Sequence, residues 1–259
     1  MPRFAANLSF LFTDLPFLDR FDAAAKAGFK GVEYLFPYEH PAIEIATRLK
    51  ANGLTQVLFN LPPGDFAKGE RGLAAIPGRE AEFEAAMAKA LDYAEGLGCK
   101  TVHAMCGTRQ AGANRRVYVA NLKTAARMAA GAGVDLIIEP LNLRDNPGYF
   151  LSRLDEARAI IHEVAEPALG LQFDLYHRQI VEGDTATAIA EFGPLAKHYQ
   201  CANPPYRFEP DDGEMNYAYL FKLIDDSGYT GWMGCEYKPR GTTLEGLARW
   251  PKALGVKLG

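Results

Sequence analysis

Short apolar or alternating runs recur along the 259 residues, each followed by a longer amphipathic stretch. PRFAANLSF, GVEYLF, LTQVLFN and KTVHAM supply four such runs in the first half, and LIIE, LQFD, KHYQ and MGCE supply four in the second. Their length and β-branched or aromatic content predict strands. Helical spacing is predicted over Leu15 to Ala27, Pro41 to Asn52, Arg79 to Leu97 and Asn114 to Gly131. It recurs over Ser152 to Val164, Thr185 to Phe192, Tyr217 to Asp226 and Thr243 to Leu254.

Eight strand-then-helix units in a chain of this length predict one α/β domain over residues 1–259, a (β/α)8 TIM barrel of parallel strands with helices outside. An open doubly wound sheet is the competing architecture. It would call for a glycine-rich phosphate turn after the first strand, and ANLSFLFTD has no glycine. Gly or Asn separates helix from strand in AKAGFKGVE, LKANGLTQV, EGLGCKTV and AAGAGVDLI, where a left-handed cap turns the chain back into the sheet.

The later runs close on Glu139, Asp174, Gln200 and Glu236. In a barrel of this kind the C-terminal strand ends form one rim, and catalytic groups gather there. Three carboxylates on one rim repel one another unless a counter-charge is present, and a hard divalent cation with oxygen ligands supplies it. Gln200 adds a neutral oxygen. The set suits Mg2+ or Mn2+ better than zinc, which prefers His and Cys. Taken singly, each residue is equally a helix N-cap or a rim ion-pair partner; their placement in successive units favours a shared site.

Hydrophobic residues at 48% and charged residues at 23% describe an ordinary globular chain without a linker. No signal pattern or membrane-length apolar run is seen, so a cytoplasmic protein is expected. Cys99, Cys106, Cys201 and Cys235 stand singly in or beside strand runs and read as reduced core thiols. A net charge of −4 argues against a nucleic-acid partner and for a small substrate.

MPRFAANLSFLFTD, VEYLFPYE, LFNLPPGD, GLAAIPGRE, FDLYHRQIVEGD, EPDDGEMNY and GWMGCEYKPRG run through nearly the whole chain. On these blocks the sequence resembles the hydroxypyruvate isomerase family of xylose-isomerase-like barrels, nearest its 2-oxo-tetronate isomerase branch. The resemblance implies that Glu139 and Glu236 are metal ligands and also the proton acceptor and donor. It implies that Asp174 and Gln200 complete the ligand set, that the substrate is a small sugar acid, and that no organic cofactor is used. One stretch departs from the family: CANPPYRFEPDDGE replaces a glycine-rich, histidine-containing approach to EPDDGE.

Further candidates each have two readings. His177 either orients a ligand carboxylate or hydrogen-bonds the substrate, or else is structural. His103 reaches the rim or packs in the core. Asn7, Glu33 and Asn60 recognise hydroxyls or make rim contacts. Arg207, Lys238 and Arg240, with Arg109 a weaker choice, are expected to meet the substrate carboxylate or to be solvated loop charges. The aromatic residues of LFPYEHP and NYAYLFKL serve core packing or a homo-oligomer surface.

Three functions compete. One is interconversion of 2-oxo and 3-oxo sugar acids. A ketose 3-epimerase on the same barrel would normally carry His in place of Gln200. A multi-zinc nuclease of the endonuclease IV type needs more clustered His than His40, His103, His162, His177 and His198 offer, and a binding-only derivative would be expected to lose one of the two glutamates.

Overall fold

In the computed structural model, which describes residues 2–258, the strands are β1 (Arg3–Asn7), β2 (Gly31–Tyr34), β3 (Thr55–Asn60), β4 (Thr101–His103), β5 (Asp135–Ile138), β6 (Leu169–Asp174), β7 (Ala196–Cys201) and β8 (Trp232–Cys235). Met1 and Gly259, the ends of the predicted 1–259 span, lie outside the described residues. Each strand pairs in parallel with its neighbours in sequence, and β8 pairs with β1, closing the barrel. The register slips once between Val32 and Glu33 and once between Leu171 and Gln172, below the rim on β2 and β6.

The helices are α1 (Arg20–Lys26), α2 (Ala42–Asn52), α3 (Glu80–Leu97), α4 (Arg115–Gly131), α5 (Leu154–Val164), α6 (Leu175–Val181), α7 (Thr185–Phe192), α8 (Tyr217–Asp226) and α9 (Thr243–Leu254). Their boundaries follow local chemistry. The Asn114 side chain accepts from the N–H groups of Arg116 and Val117 and starts α4. Thr242 and Glu245 form a reciprocal capping box on α9, and Gly53 and Gly98 end α2 and α3 in the left-handed conformation.

Two expectations change. The segment predicted to be helical from Leu15 is α-helical only from Arg20, because Pro16 offers no N–H and the chain makes a short 3-10 turn over Phe17–Asp19 first. Helix α6 was not predicted; it begins directly on Asp174, whose carboxylate accepts from the Tyr176 N–H.

The apolar faces of the helices pack on the outside of the barrel. On α5, Leu154, Ala157, Ile160, Ile161 and Val164 are buried, a stripe at helical spacing. Inside the barrel a small cluster of Ala5, Val57, Leu58 and Ile137 fills the floor. Each fully buried large apolar side chain contributes about 1.5–3 kcal/mol. All four cysteines are buried free thiols, as expected. Among the described residues no helix is long and apolar enough to cross a membrane.

Candidate active site

Glu139 follows β5, Asp174 ends β6 and Glu236 follows β8, so three separate strand ends deliver carboxylates to one place. With His177 of α6 they bring one ligand atom each to within 4.8 Å of one another, all buried. Glu139, His177 and Glu236 open onto a cavity of about 170 Å³, lined also by Asn60, His103, Arg207 and Arg71, with Asp174 buried beside it. That is below the roughly 300 Å³ at which drug-sized ligands are usually bound, so the fitting ligand is small.

The hydrogen bonds of the cluster show what it lacks. Asp174 gives Oδ1 to the Tyr176 N–H at 2.7 Å, while Oδ2 has no hydrogen-bond partner among the described residues; Glu139 Oε1 has none either. Glu236 accepts from Asn7 Nδ2 at 3.2 Å and is ion-paired with Arg207 Nη2. The same guanidinium stands 3.8 Å from Asp174 Oδ2. If all three carboxylates ionise, one guanidinium leaves two negative charges over, the charge a divalent cation balances. Two orphaned oxygens in so oxygen-rich a pocket fit such a cation.

Proton affinities reflect the same crowding. Burial raises the Glu139 carboxyl well above its usual range, and the charges of Glu236 and Asp174 add to the effect. Glu236 is pushed up to about 8 by burial, with Arg207 opposing and Asp174 adding. Asp174 is raised to about 6, again by burial, against the pull of Arg207 and nearby backbone N–H groups. Burial also works against the charge of Arg207, but the three carboxylates outweigh it and hold the guanidinium above its ordinary value.

His177 is held as a donor. Its Nδ1 accepts from the Asn142 backbone N–H at 3.1 Å, which leaves the proton on Nε2, 3.6 Å from Asp174 Oδ2 and beyond hydrogen-bond range of it. Burial keeps the ring neutral. His177 is therefore better suited to orienting Asp174 or a ligand hydroxyl than to giving Nε2 to a metal. His103 reaches the cavity rather than the core alone: both ring nitrogens lack partners and burial lowers its pKa to about 3.

Below this layer lies a second set of polar groups. Glu33 is buried with both oxygens engaged, Oε1 by Asn7 at 2.9 Å and Gln200 at 2.7 Å, Oε2 by His198 at 2.7 Å. Its carboxylate passes over Gly234 of β8, where an added Cβ would stand 2.3 Å from Oε1. Gln200 Oε1 accepts from Gln172 Nε2 at 2.6 Å, which leaves one lone pair on that oxygen. Asn7 and Glu33, candidates for hydroxyl recognition, thus brace Glu236 and Gln200 from beneath.

Three expected cations lie elsewhere. Arg240 is spent on Glu209 at 2.9 Å, Asp212 at 2.8 Å and Asp211. Lys238 is exposed and uses its backbone N–H to hold the Arg207 carbonyl at 2.7 Å. Arg109 is exposed over Phe150. The acidic run around Asp211, next in space to KPRG, captured Arg240. Arg207 does enter the cavity, with its guanidinium 4.8 Å from the Phe10 ring and 5.1 Å from that of Tyr176. Asn142 and Arg71 were not anticipated; both lie in loops where no strand-end position singles them out.

Comparison with known proteins agrees with the barrel fold. The model of the xylose isomerase-like TIM barrel family matches residues 21–254. A 2-oxo-tetronate isomerase of Cupriavidus necator is 54% identical over 98% of this chain and 100% of its own length. A hydroxypyruvate isomerase of Escherichia coli is 45% identical over 96% of this chain and 98% of its own. A crystal structure from Brucella melitensis, described as an AP endonuclease of family 2, superposes with a TM-score of 0.94 at 50% identity, covering 96% of this chain and 97% of that one.

Proposed function

We propose a reaction from one premise: this chain belongs to the xylose isomerase-like TIM barrel family and groups there with the 2-oxo-tetronate and hydroxypyruvate isomerases. It is an isomerase. The reaction is the interconversion of the 2-oxo and 3-oxo forms of a small sugar acid, 2-oxo-tetronate to 3-oxo-tetronate or hydroxypyruvate to tartronate semialdehyde. The observation that carries this reading is the meeting of Glu139, Asp174 and Glu236 in one buried cluster beside a small cavity, with two of their oxygens unpartnered.

For the four-carbon acid, Glu139 or Glu236 removes the hydrogen on C3 and the electron pair forms a C2–C3 double bond, giving an enediol. The other glutamate returns a proton to C2, and the hydroxyl proton passes from O3 to O2, so atoms and charge balance without redox chemistry. Carboxyl groups raised toward neutrality suit both taking and giving a proton. Asn7 fixes Glu236 from one side and Arg207 from the other, so its basic oxygen is aimed rather than free. His177 orients Asp174, and His103 offers the cavity a donor or an acceptor.

Glu139, Asp174 and Glu236 would hold Mg2+ or Mn2+, with the remaining lone pair of Gln200 Oε1 as the fourth protein donor. Such a cation, when bound, supplies positive charge where negative charge gathers on the substrate oxygens. No organic cofactor is called for. A cavity of about 170 Å³ and a net charge of −4 favour a sugar acid over a nucleic acid as partner.

Proton NMR in D2O with Mg2+ or Mn2+ tests the reading. Deuterium appearing at C2 of the newly formed 3-oxo acid supports it. Inversion at C3 without carbonyl transfer would replace it with 3-epimerisation, and an inert enzyme with both acids would sink it.

A further inference from the structure

The cavity has a second cation that the reaction above does not use. Arg71 lines it from the loop between β3 and α3. Unlike Arg207, it forms no ion pair with any described carboxylate. The adjacent acid, Glu70, is already bound to Arg79 at 2.5 Å. Arg71 Nη1 donates to the carbonyls of Phe66 at 3.1 Å and Glu70 at 2.8 Å, and its guanidinium lies over the Phe66 ring at 4.0 Å. Nε and Nη2 donate to no described residue, so one two-pronged edge of the fork is unused.

The backbone that carries this side chain is fixed. The Gly107 N–H donates to the Arg71 carbonyl at 2.9 Å, and the Gly72 N–H donates to that of Pro63 at 2.9 Å. Gly72 has φ +104°, and a Cβ there would stand 2.0 Å from the Met105 carbonyl oxygen, so the chain passes closer to the segment after β4 than any other residue allows. A guanidinium stacked on an aromatic face and pinned by two carbonyls is ordered before a ligand arrives, and its free edge matches a carboxylate.

We propose that Arg71 binds the carboxylate of the substrate and thereby selects 2-oxo acids over neutral ketoses. This assignment rests on the reaction proposed above and names the group that orients its substrate. Glu139 and Glu236 line the same cavity, so a substrate held there through C1 shares that space with both. The carboxylate takes no part in bond making, so Arg71 contributes equally to ground and transition states and its loss falls mainly on KM.

The test compares erythronate, a four-carbon sugar acid without a keto group, with erythritol, its neutral counterpart, by calorimetry on the Mg2+- or Mn2+-loaded protein. Arg71→Gln is expected to weaken erythronate binding about 10–100-fold, as for lost charge-assisted hydrogen bonds, and to leave erythritol unaffected. Arg71→Lys, which keeps the charge but not the fork, should lose less and serves if the glutamine variant does not fold. KM for the 2-oxo acid should rise by the same factor with kcat changed far less. A folded Arg71→Gln protein that binds erythronate as tightly as the wild type overturns the assignment. A wild type that binds erythronate through Arg71 yet isomerises neither acid keeps the anchor and overturns the reaction; one that isomerises with a KM indifferent to Arg71 does the reverse.

Discussion

Replacing Glu139 or Glu236 by glutamine preserves side-chain shape and removes its proton chemistry. Either change is expected to lower kcat by roughly 10²–10⁴-fold. Because the two act in one sequence of transfers, the double variant should be little worse than the weaker single one, and stopped-assay NMR of product formation checks both points. His177→Asn is a milder change: it removes the Nε2–H group standing 3.6 Å from Asp174 Oδ2 and should weaken Mn2+ binding about 10–100-fold, read by metal titration without substrate. A titration curve unchanged from wild type would show that His177 does not orient Asp174.

At the scale of elements, the crossing of Glu33 over β8 is the sharpest constraint. Gly234→Ala places a methyl group against the Glu33 carboxylate and is expected to cost about 1–3 kcal/mol in urea unfolding. Gly131→Ala, at the end of α4 with nothing within 4 Å of the new Cβ, should be neutral or slightly stabilising. Equal effects at the two positions would contradict the packing described. Most elements could be read from the sequence, because short strand runs and helices of period 3.6 alternate except where α6 and α7 follow β6 together, and glycine or asparagine marks several of the turns. Helix α6 escaped because LYHRQIV follows Asp174 without a break, although the aspartate is itself the start signal. The same strand-end logic found Glu139, Asp174 and Glu236. It had no hold on Arg71 or Asn142, which are placed by long loops, and it could not tell that Arg240 faces Glu209 and not the cavity.

At the scale of the whole molecule, pH and a bound divalent cation are expected to set stability together. Glu236 and Asp174 have folded-state pKa values raised to about 8 and about 6, and burial raises Glu139 well above the usual carboxylate range. The folded protein thus holds protons that the unfolded chain releases near pH 4, and this contribution is lost as pH rises through 6 and 8. The chelated protein should therefore melt at progressively lower temperature from pH 5 to pH 8.5. Mg2+ or Mn2+ at about a hundred times Kd should raise Tm by about 5–10 °C, and by more at pH 8.5 than at pH 5. Differential scanning calorimetry checks this; a chelated protein that melts higher at pH 8.5 than at pH 5 would contradict it.

The hydrogen bond from Asn7 to Glu236 joins residues 229 positions apart, across the seam where β1 meets β8. During refolding, the candidate proton-transfer pair is complete only after that seam has zipped, so recovered turnover is a late event by construction. Both tryptophans of the chain lie on the same seam: Trp232 beneath the Arg3 guanidinium at 4.5 Å, and Trp250 edge-on to Phe4 at 5.6 Å. Intrinsic fluorescence is thus a built-in clock for ring closure, and its final phase and the return of activity should share one rate constant.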